Sequence, residues 1–236
     1  MFKHEKPLFH PIAVEGPNPQ YAALLQEQLG GGNGELKAAM QYMSQSFHIH
    51  DPEIKDLFLD IGTEELSHME MIAETINLLN GHEVDYTQIE NGQIQSMVSF
   101  GLNPALINAS GNPWTADYVT VTGDLAADLL ADIASEQRAK VVYEYLYRQI
   151  EDKYVRETIM FLLEREEAHN ALFCEALNKY TQNKGSNLNF GMSEDSKLYF
   201  DLSKPGRYFE DPDHQNIVHL LHDRRYVRGS DINCWR

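Results

Sequence analysis

The stretch DLFLDIGTEELSHMEM, residues 56–71, has an apolar helical pattern that two polar residues interrupt at core positions. Apolar residues recur at steps of three and four, the spacing of one face of an α-helix. The face extends beyond the stretch, and its members are Ile54, Phe58, Ile61, Glu65, His68, Ile72, Thr75 and Leu79. A carboxylate on such a face is costly unless it is protonated, paired or bound to a cation.

The same chemical pattern occurs a second time in the other half of the chain. Glu35, Glu65 and His68 are repeated as Glu136, Glu166 and His169. In each copy the two glutamates lie thirty residues apart, and the second begins a Glu-x-x-His motif. Two helical hairpins that each direct two carboxylates and one imidazole into a shared cavity are typical of a dinuclear metal centre in a four-helix bundle. We therefore predict a metalloenzyme.

A simpler interpretation is that the Glu-x-x-His motifs lie at the surface and bind no metal. A single Glu-x-x-His on a helix is usually a solvated ion pair. Here both copies lie on apolar stripes that hold few basic residues, so lysine or arginine cannot neutralise all four carboxylates. Glu64, Glu164 and Glu167 lie out of register with the stripes, and we do not predict them as ligands.

Turn and capping signals predict the order of the helices. Asn18-Pro19 and Asp51-Pro52 are helix starts, and the GGGNG run from Gly30 interrupts a helix. The predicted helices span 19–29, 34–47, 52–80, from 115–122 to 150, and from after 152 to about 183. We predict an all-α fold: a ferritin-like four-helix bundle with a long crossover at 82–114, an extended N-terminal arm and an irregular C-terminal tail.

The chain should therefore divide into two parts. Residues 1–185 form the bundle with its arm, and residues 186–236, which lack a sustained period, form an extended tail that packs on the bundle or on a neighbouring subunit.

Composition excludes several classes of function. The net charge of −17 argues against a nucleic-acid partner, since phosphates require a basic surface. No run approaches the roughly 20 apolar residues that a membrane helix needs. The N-terminus lacks the apolar core of a secretory signal, and two cysteines, Cys174 and Cys234, form no disulfide framework. We expect a cytoplasmic protein.

The donor set narrows the choice of metal. Carboxylates with one imidazole per metal suit Fe(II) or Mn(II), and the absence of thiolate ligands disfavours zinc and iron–sulfur clusters. The ligands alone do not separate iron from manganese.

Four segments resemble the dinuclear manganese catalases, and the resemblance covers most of residues 1–183. They are MFKH at 1–4, LQEQLGGGNGE at 25–35, DLFLDIGTEELSHMEM at 56–71 and FLLEREEAH at 161–169. The tail is similar only loosely. The resemblance implies disproportionation of hydrogen peroxide to oxygen and water without haem, at two manganese ions per subunit that cycle between Mn(II)2 and Mn(III)2. It also implies a homo-oligomer of six subunits.

The resemblance also implies roles for the residues that match the family pattern. Glu35 with His68 would hold one manganese, Glu136 with His169 the other, and Glu65 would bridge them. Glu166 would be a proton donor and acceptor hydrogen-bonded to bridging solvent, or a ligand as in iron members of the wider superfamily. Tyr42, seven residues after Glu35, lies on the same helix face and could hydrogen-bond a metal-bound carboxylate.

Ser135 and two aspartates of the third predicted helix correspond to further positions of the family pattern. Ser135 stands where some family members have an arginine that closes the access channel, so the entrance could differ here. Asp56 and Asp60 match residues that bind calcium in some members, and Asp201 and Ser203 could complete that site; the alternative is a pair of surface acids.

Two other functions stay open at this point. One is a ferritin-like di-iron ferroxidase or peroxidase, although no Cys-x-x-Cys pair is present for a rubredoxin-type centre. The other is a non-catalytic, coat-type protein that keeps the bundle without the turnover.

Overall fold

The computed structural model describes residues 5–81 and 101–184, which belong to a unit spanning Met1–Lys184. Within these residues the chain forms five α-helices and a short 3-10 helix. They are α1 (Pro19–Gly30), α2 (Glu35–Ser46), α3 (Pro52–Asn80), the 3-10 helix Ala116–Tyr118, α4 (Leu125–Gln149) and α5 (Lys153–Lys184). None of the described helices is long and apolar enough to span a bilayer.

The predicted capping residues start the helices. The Asn18 side chain accepts a hydrogen bond from the backbone N–H of Tyr21. The Asp51 carboxylate accepts from the N–H groups of Glu53 and Ile54. Each cap satisfies amide groups that have no partner inside their helix, and a proline follows at the first helical position.

Helices α2 to α5 form two hairpins. The most extensive helix contacts join α2 to α3 and α4 to α5, and α1 packs mainly on α3. The turn of the first hairpin lies between Ser46 and Pro52, and that of the second between Gln149 and Lys153. This arrangement confirms the predicted all-α, ferritin-like bundle, with residues 5–18 as a non-helical arm.

Two apolar clusters fill the two ends of the bundle. One contains Leu25, Ile72 and Leu162, and the other contains Phe58 and Phe173. Both α3 and α5 run from one apolar cluster to the other, and their Glu-x-x-His motifs lie between the two clusters. The fold thus places the polar residues in the middle of the bundle, with apolar side chains packed on both sides.

One boundary differs from the sequence prediction: α4 begins at Leu125 rather than between residues 115 and 122. Gly123 adopts a φ of 79°, a left-handed conformation that interrupts a right-handed helix. The Asp128 carboxylate accepts hydrogen bonds from the backbone N–H groups of Thr122 and Gly123, and Asp124 caps the helix that follows. The start signals at 115–118 form only the short 3-10 helix.

Residues 82–100 of the predicted crossover and residues 186–236 of the predicted tail lie outside the described residues. The division of the chain at residue 185 and the packing of the tail stay predictions.

The packing predicts different costs for two phenylalanine truncations. Phe173 is fully buried and meets the rings of Tyr42 and Phe58 edge to face, whereas Phe47 is 73% exposed. Phe173→Ala should lower the free energy of unfolding by about 3–5 kcal/mol, because it removes a buried ring and leaves a cavity. Phe47→Ala should change it by less than about 0.5 kcal/mol. Denaturant unfolding of both variants at equal protein concentration tests this, and equal shifts would contradict the packing.

Candidate metal centre

The structure brings all six repeated side chains together in the bundle interior. Each is at most 2% exposed. They form two overlapping groups whose potential ligand atoms lie within 4.8 Å of one another: Glu35, Glu65, His68 and Glu166, and Glu65, Glu136, Glu166 and His169. Glu65 and Glu166 belong to both groups. Because the two helices of each hairpin run antiparallel, glutamates thirty positions apart on either side of the turn meet here.

Both histidines direct the same ring nitrogen toward the carboxylates. His68 Nδ1 lies 3.0 Å from Glu65 Oε2 and 3.6 Å from Glu35 Oε2. His169 Nδ1 lies 2.8 Å from Glu65 Oε1 and 3.8 Å from Glu136 Oε2. The two rings are nearly parallel, with centroids 5.7 Å apart. One imidazole therefore faces each group, and Glu65 lies between the two.

Several buried polar atoms of the cluster lack a hydrogen-bond partner among the described residues. They are Glu65 Oε1, Glu136 Oε2, Glu166 Oε1 and His169 Nδ1, along with the outer Nε2 atoms of both histidines. The 2.8 Å approach of His169 Nδ1 to Glu65 Oε1 thus lacks hydrogen-bond alignment. Buried polar atoms are normally satisfied, so this set requires a further contact. Two hard divalent cations that accept oxygen and imidazole ligands fit the donor set.

Burial separates the acidities of the carboxyl groups. Burial, with the nearby charge of Glu65, raises the pKa of Glu35 to about 8 and the pKa of Glu166 well above its usual range. Burial alone would also raise the pKa of Glu65, but the two histidines outweigh it and hold that pKa below the usual range. Some carboxyl groups in the cluster therefore carry protons at neutral pH, and cation binding displaces protons.

Two tyrosines connect the hairpins through the cluster. The Tyr42 hydroxyl on α2 donates to Glu136 on α4, and the Tyr143 hydroxyl on α4 donates to Glu35 on α2. Burial raises the pKa of both hydroxyls well above their usual value, so they remain donors. The sequence pattern predicted a role for Tyr42, whereas Tyr143 was not predicted. The signal was present, because each tyrosine lies seven residues after a glutamate of the repeat.

A buried polar network adjoins the cluster on the α2–α4 side. Lys37 Nζ donates to Ser135 Oγ at 2.7 Å, and the Gln41 amide donates to Asp132 Oδ1 at 2.7 Å. Burial lowers the pKa of Lys37 and raises the pKa of Asp132, each to about 8. Lys37 thus contacts Ser135, the serine that precedes Glu136. This network was not predicted, because a lysine two residues after Glu35 gives no signal in the sequence that it will be buried.

Glu64 belongs to neither group of potential ligand atoms, yet it contacts both imidazoles from the outer side. Its carboxylate oxygen Oε1 lies 3.4 Å from His68 Nε2 and 3.3 Å from His169 Nε2. Arg165 donates to the same carboxylate, with Nε 2.6 Å from Oε1. This contact was not predicted, although the four-residue spacing between Glu64 and His68 places them on adjacent turns.

The predicted calcium site stays a prediction. Asp56 and Asp60 are exposed on α3, and the metal-capable groups found among residues 5–81 and 101–184 do not include them. Asp201 and Ser203 lie outside the described residues.

Comparisons with known proteins agree with this geometry. The family described as manganese containing catalase matches residues 1–211. A Clostridium acetobutylicum protein named "Probable manganese catalase" is 71% identical over 214 residues, covering 90% of this chain and 95% of its own length. A Bacillus subtilis protein named manganese catalase is 35% identical, covering 78% of this chain and 72% of its own.

A solved structure is similar as well. The crystal structure of wild-type KatB, a manganese catalase from Anabaena, is 37% identical and has a TM-score of 0.75, covering 86% of this chain and 92% of that one. Sequence match, fold and donor set agree, and the chain belongs to the manganese-containing catalase family.

Proposed function

We propose that this protein disproportionates hydrogen peroxide to oxygen and water at a dinuclear manganese centre. The observation that supports it most directly is the pair of overlapping groups of buried carboxylates and imidazoles, whose unpaired atoms could bind cations. Membership of the manganese-containing catalase family selects manganese over iron, which the donor set alone leaves open.

The proposed ligands follow the two groups. Glu35 and His68 would hold one manganese, Glu136 and His169 would hold the other, and Glu65 would be shared by both. The directions of the imidazole Nδ1 atoms support the first four assignments. The position of Glu65 supports its bridging role, since its two oxygens lie 3.0 Å and 2.8 Å from the Nδ1 atoms of the two histidines. Each chain would then bind two manganese ions.

Bound manganese supplies a reversible two-electron couple, so that no one-electron radical needs to leave the site. The protons must balance as well. One peroxide molecule is oxidised to O2 and releases two protons and two electrons, and a second takes up both to form two water molecules. A residue that takes up one of these two protons and returns it, while the other passes through solvent, allows the halves to alternate.

Glu166 is the proposed proton carrier. It belongs to both groups, its Oε1 has no hydrogen-bond partner among the described residues, and its pKa is raised by burial and by the charge of Glu65. Burial favours the protonated form of this carboxyl group, from which it can donate a proton. Tyr42 and Tyr143 have a different role: they fix the orientation of Glu136 and Glu35 by donating to them.

Four finer proposals accompany this function. The protein forms a homo-oligomer of six subunits, and the tail contributes to the contacts between subunits. It is cytoplasmic. Asp56, Asp60, Asp201 and Ser203 form a calcium site.

Metal content and gas evolution test the function on one sample. Protein purified with manganese present should contain about two manganese ions per chain and release one O2 for every two peroxide molecules consumed. An oxygen electrode with elemental analysis measures both. Retention of iron without O2 release would favour a ferroxidase or peroxidase. Two bound manganese ions without O2 release would indicate a non-catalytic protein.

Removal of the bridging carboxylate should affect both metal positions. In Glu65→Ala the two manganese ions lose their shared ligand, so we expect loss of most bound metal and of nearly all O2 evolution. The matched control is Glu164→Ala, which removes an exposed glutamate from the central part of α5 and should keep both. Elemental analysis after gel filtration decides this, and full manganese content in Glu65→Ala would reject the bridge.

Substitution of the proposed proton carrier should separate metal binding from turnover. Glu166→Gln keeps the size of the side chain but removes the acidic proton, so manganese content should persist while turnover falls by about 10²–10⁴-fold. Glu167→Gln, on the exposed side of the same helix, should lose little, since its salt bridge to Lys140 is at the surface. Loss of one manganese in Glu166→Gln would make Glu166 a ligand instead.

A further inference from the structure

The outer nitrogens of both histidines converge on one atom. Glu64 Oε1 lies 3.4 Å from Nε2 of His68 and 3.3 Å from Nε2 of His169. The histidines belong to different hairpins, His68 to α3 and His169 to α5. Both are fully buried, so bulk water does not reach these nitrogens. Among the described residues, neither Nε2 has a well-aligned hydrogen bond, and Glu64 is the nearby acceptor for each.

Arg165 holds this carboxylate from the opposite hairpin. Its Nε lies 2.6 Å from Glu64 Oε1, and its Nη2 lies 3.4 Å from Oε2. Such a two-point contact with a planar guanidinium fixes the plane of the carboxylate as well as its position. Glu64 directly precedes Glu65, and Arg165 directly precedes Glu166. The pair therefore spans the two helices that carry the Glu-x-x-His motifs.

The orientation of an imidazole ligand depends on its second nitrogen. A neutral imidazole carries one N–H, and an acceptor next to Nε2 keeps that hydrogen there and leaves the Nδ1 lone pair free for a metal. In this structure both Nδ1 atoms face the carboxylate cluster and both Nε2 atoms face Glu64. One carboxylate thus lies within about hydrogen-bond distance of the outer nitrogens of both imidazoles.

We propose that Glu64 is a positioning residue shared by both metal positions, and that Arg165 acts by holding Glu64 in place. This rests on the proposed function, because it takes His68 and His169 as manganese ligands. Glu64 would then be shared by the two histidines, just as Glu65 would be shared by the two metals. Glu64 lies on the outer side of the imidazoles, and Glu65 lies on their inner side. The competing interpretation is an interhelix salt bridge that stabilises the bundle and has no influence on the metals.

Manganese affinity separates these interpretations without reference to turnover. The full chain, stripped of metal and titrated with Mn(II), should bind both ions about 10–100-fold more weakly in Glu64→Ala than in the wild type. Glu64→Gln keeps an acceptor oxygen and nearly the same shape, so it should recover part of the loss. The control Glu164→Ala removes an exposed acid without such a contact and should leave both affinities unchanged. The electron paramagnetic resonance signal of the bound manganese should change in Glu64→Ala and not in the control.

A double-mutant cycle tests the role of Arg165. Arg165→Met should weaken manganese binding in the wild type but add little in the Glu64→Ala background, since its effect passes through that carboxylate. Unchanged manganese affinity in Glu64→Ala, with lower thermal stability of the metal-free protein, would overturn the proposal in favour of the salt bridge. Additive effects of the two substitutions would overturn the role of Arg165.

The same data keep this proposal distinct from the proposed function. Manganese binding that depends on Glu64 without O2 release would reject catalase activity and leave the positioning role intact. O2 release by wild-type protein with unchanged affinity in Glu64→Ala would do the reverse.

Discussion

The burial of four carboxylates and two imidazoles in the middle of an apolar bundle is the constraint around which the rest of the structure is arranged. Like charges this close repel one another, and the low dielectric of the interior strengthens that repulsion. The fold balances the cost in several ways at once: protons held at raised pKa values, tyrosine donors, a buried lysine, and atoms left open to cations. The apolar clusters at both ends of the bundle contribute burial free energy that offsets the cost of burying these polar groups.

Much of this was predictable because helical periodicity acts over short distances in sequence. The apolar stripes on α3 and α5 predicted that Glu65, His68 and His169 face the interior of the bundle. The thirty-residue interval predicted which glutamates lie opposite each other within each hairpin. Capping residues such as Asp51 also gave accurate helix starts. The start of α4 was wrong because a left-handed glycine and the carboxylate of Asp128, rather than the earlier start signals, determine where that helix begins.

Contacts between hairpins were harder to foresee. Whether Glu64 reaches two imidazoles depends on how far α3 and α5 are rotated about their axes, and no single-helix pattern encodes that rotation. Lys37 is similar, since its burial results from the approach of α4 and Ser135. Tyr143 could have been found, because it repeats the spacing that identified Tyr42. The repeat therefore contained more of the site than the ligands alone.

The reciprocal tyrosine bonds have a mechanical consequence. Each hydroxyl belongs to one hairpin and its acceptor to the other, so a slip of one hairpin by a single turn, roughly 5.4 Å, would break both bonds together. The relative height of the two hairpins is therefore determined by the protein itself, independently of any ion. The two bonds thus hold the carboxylates of one hairpin level with those of the other.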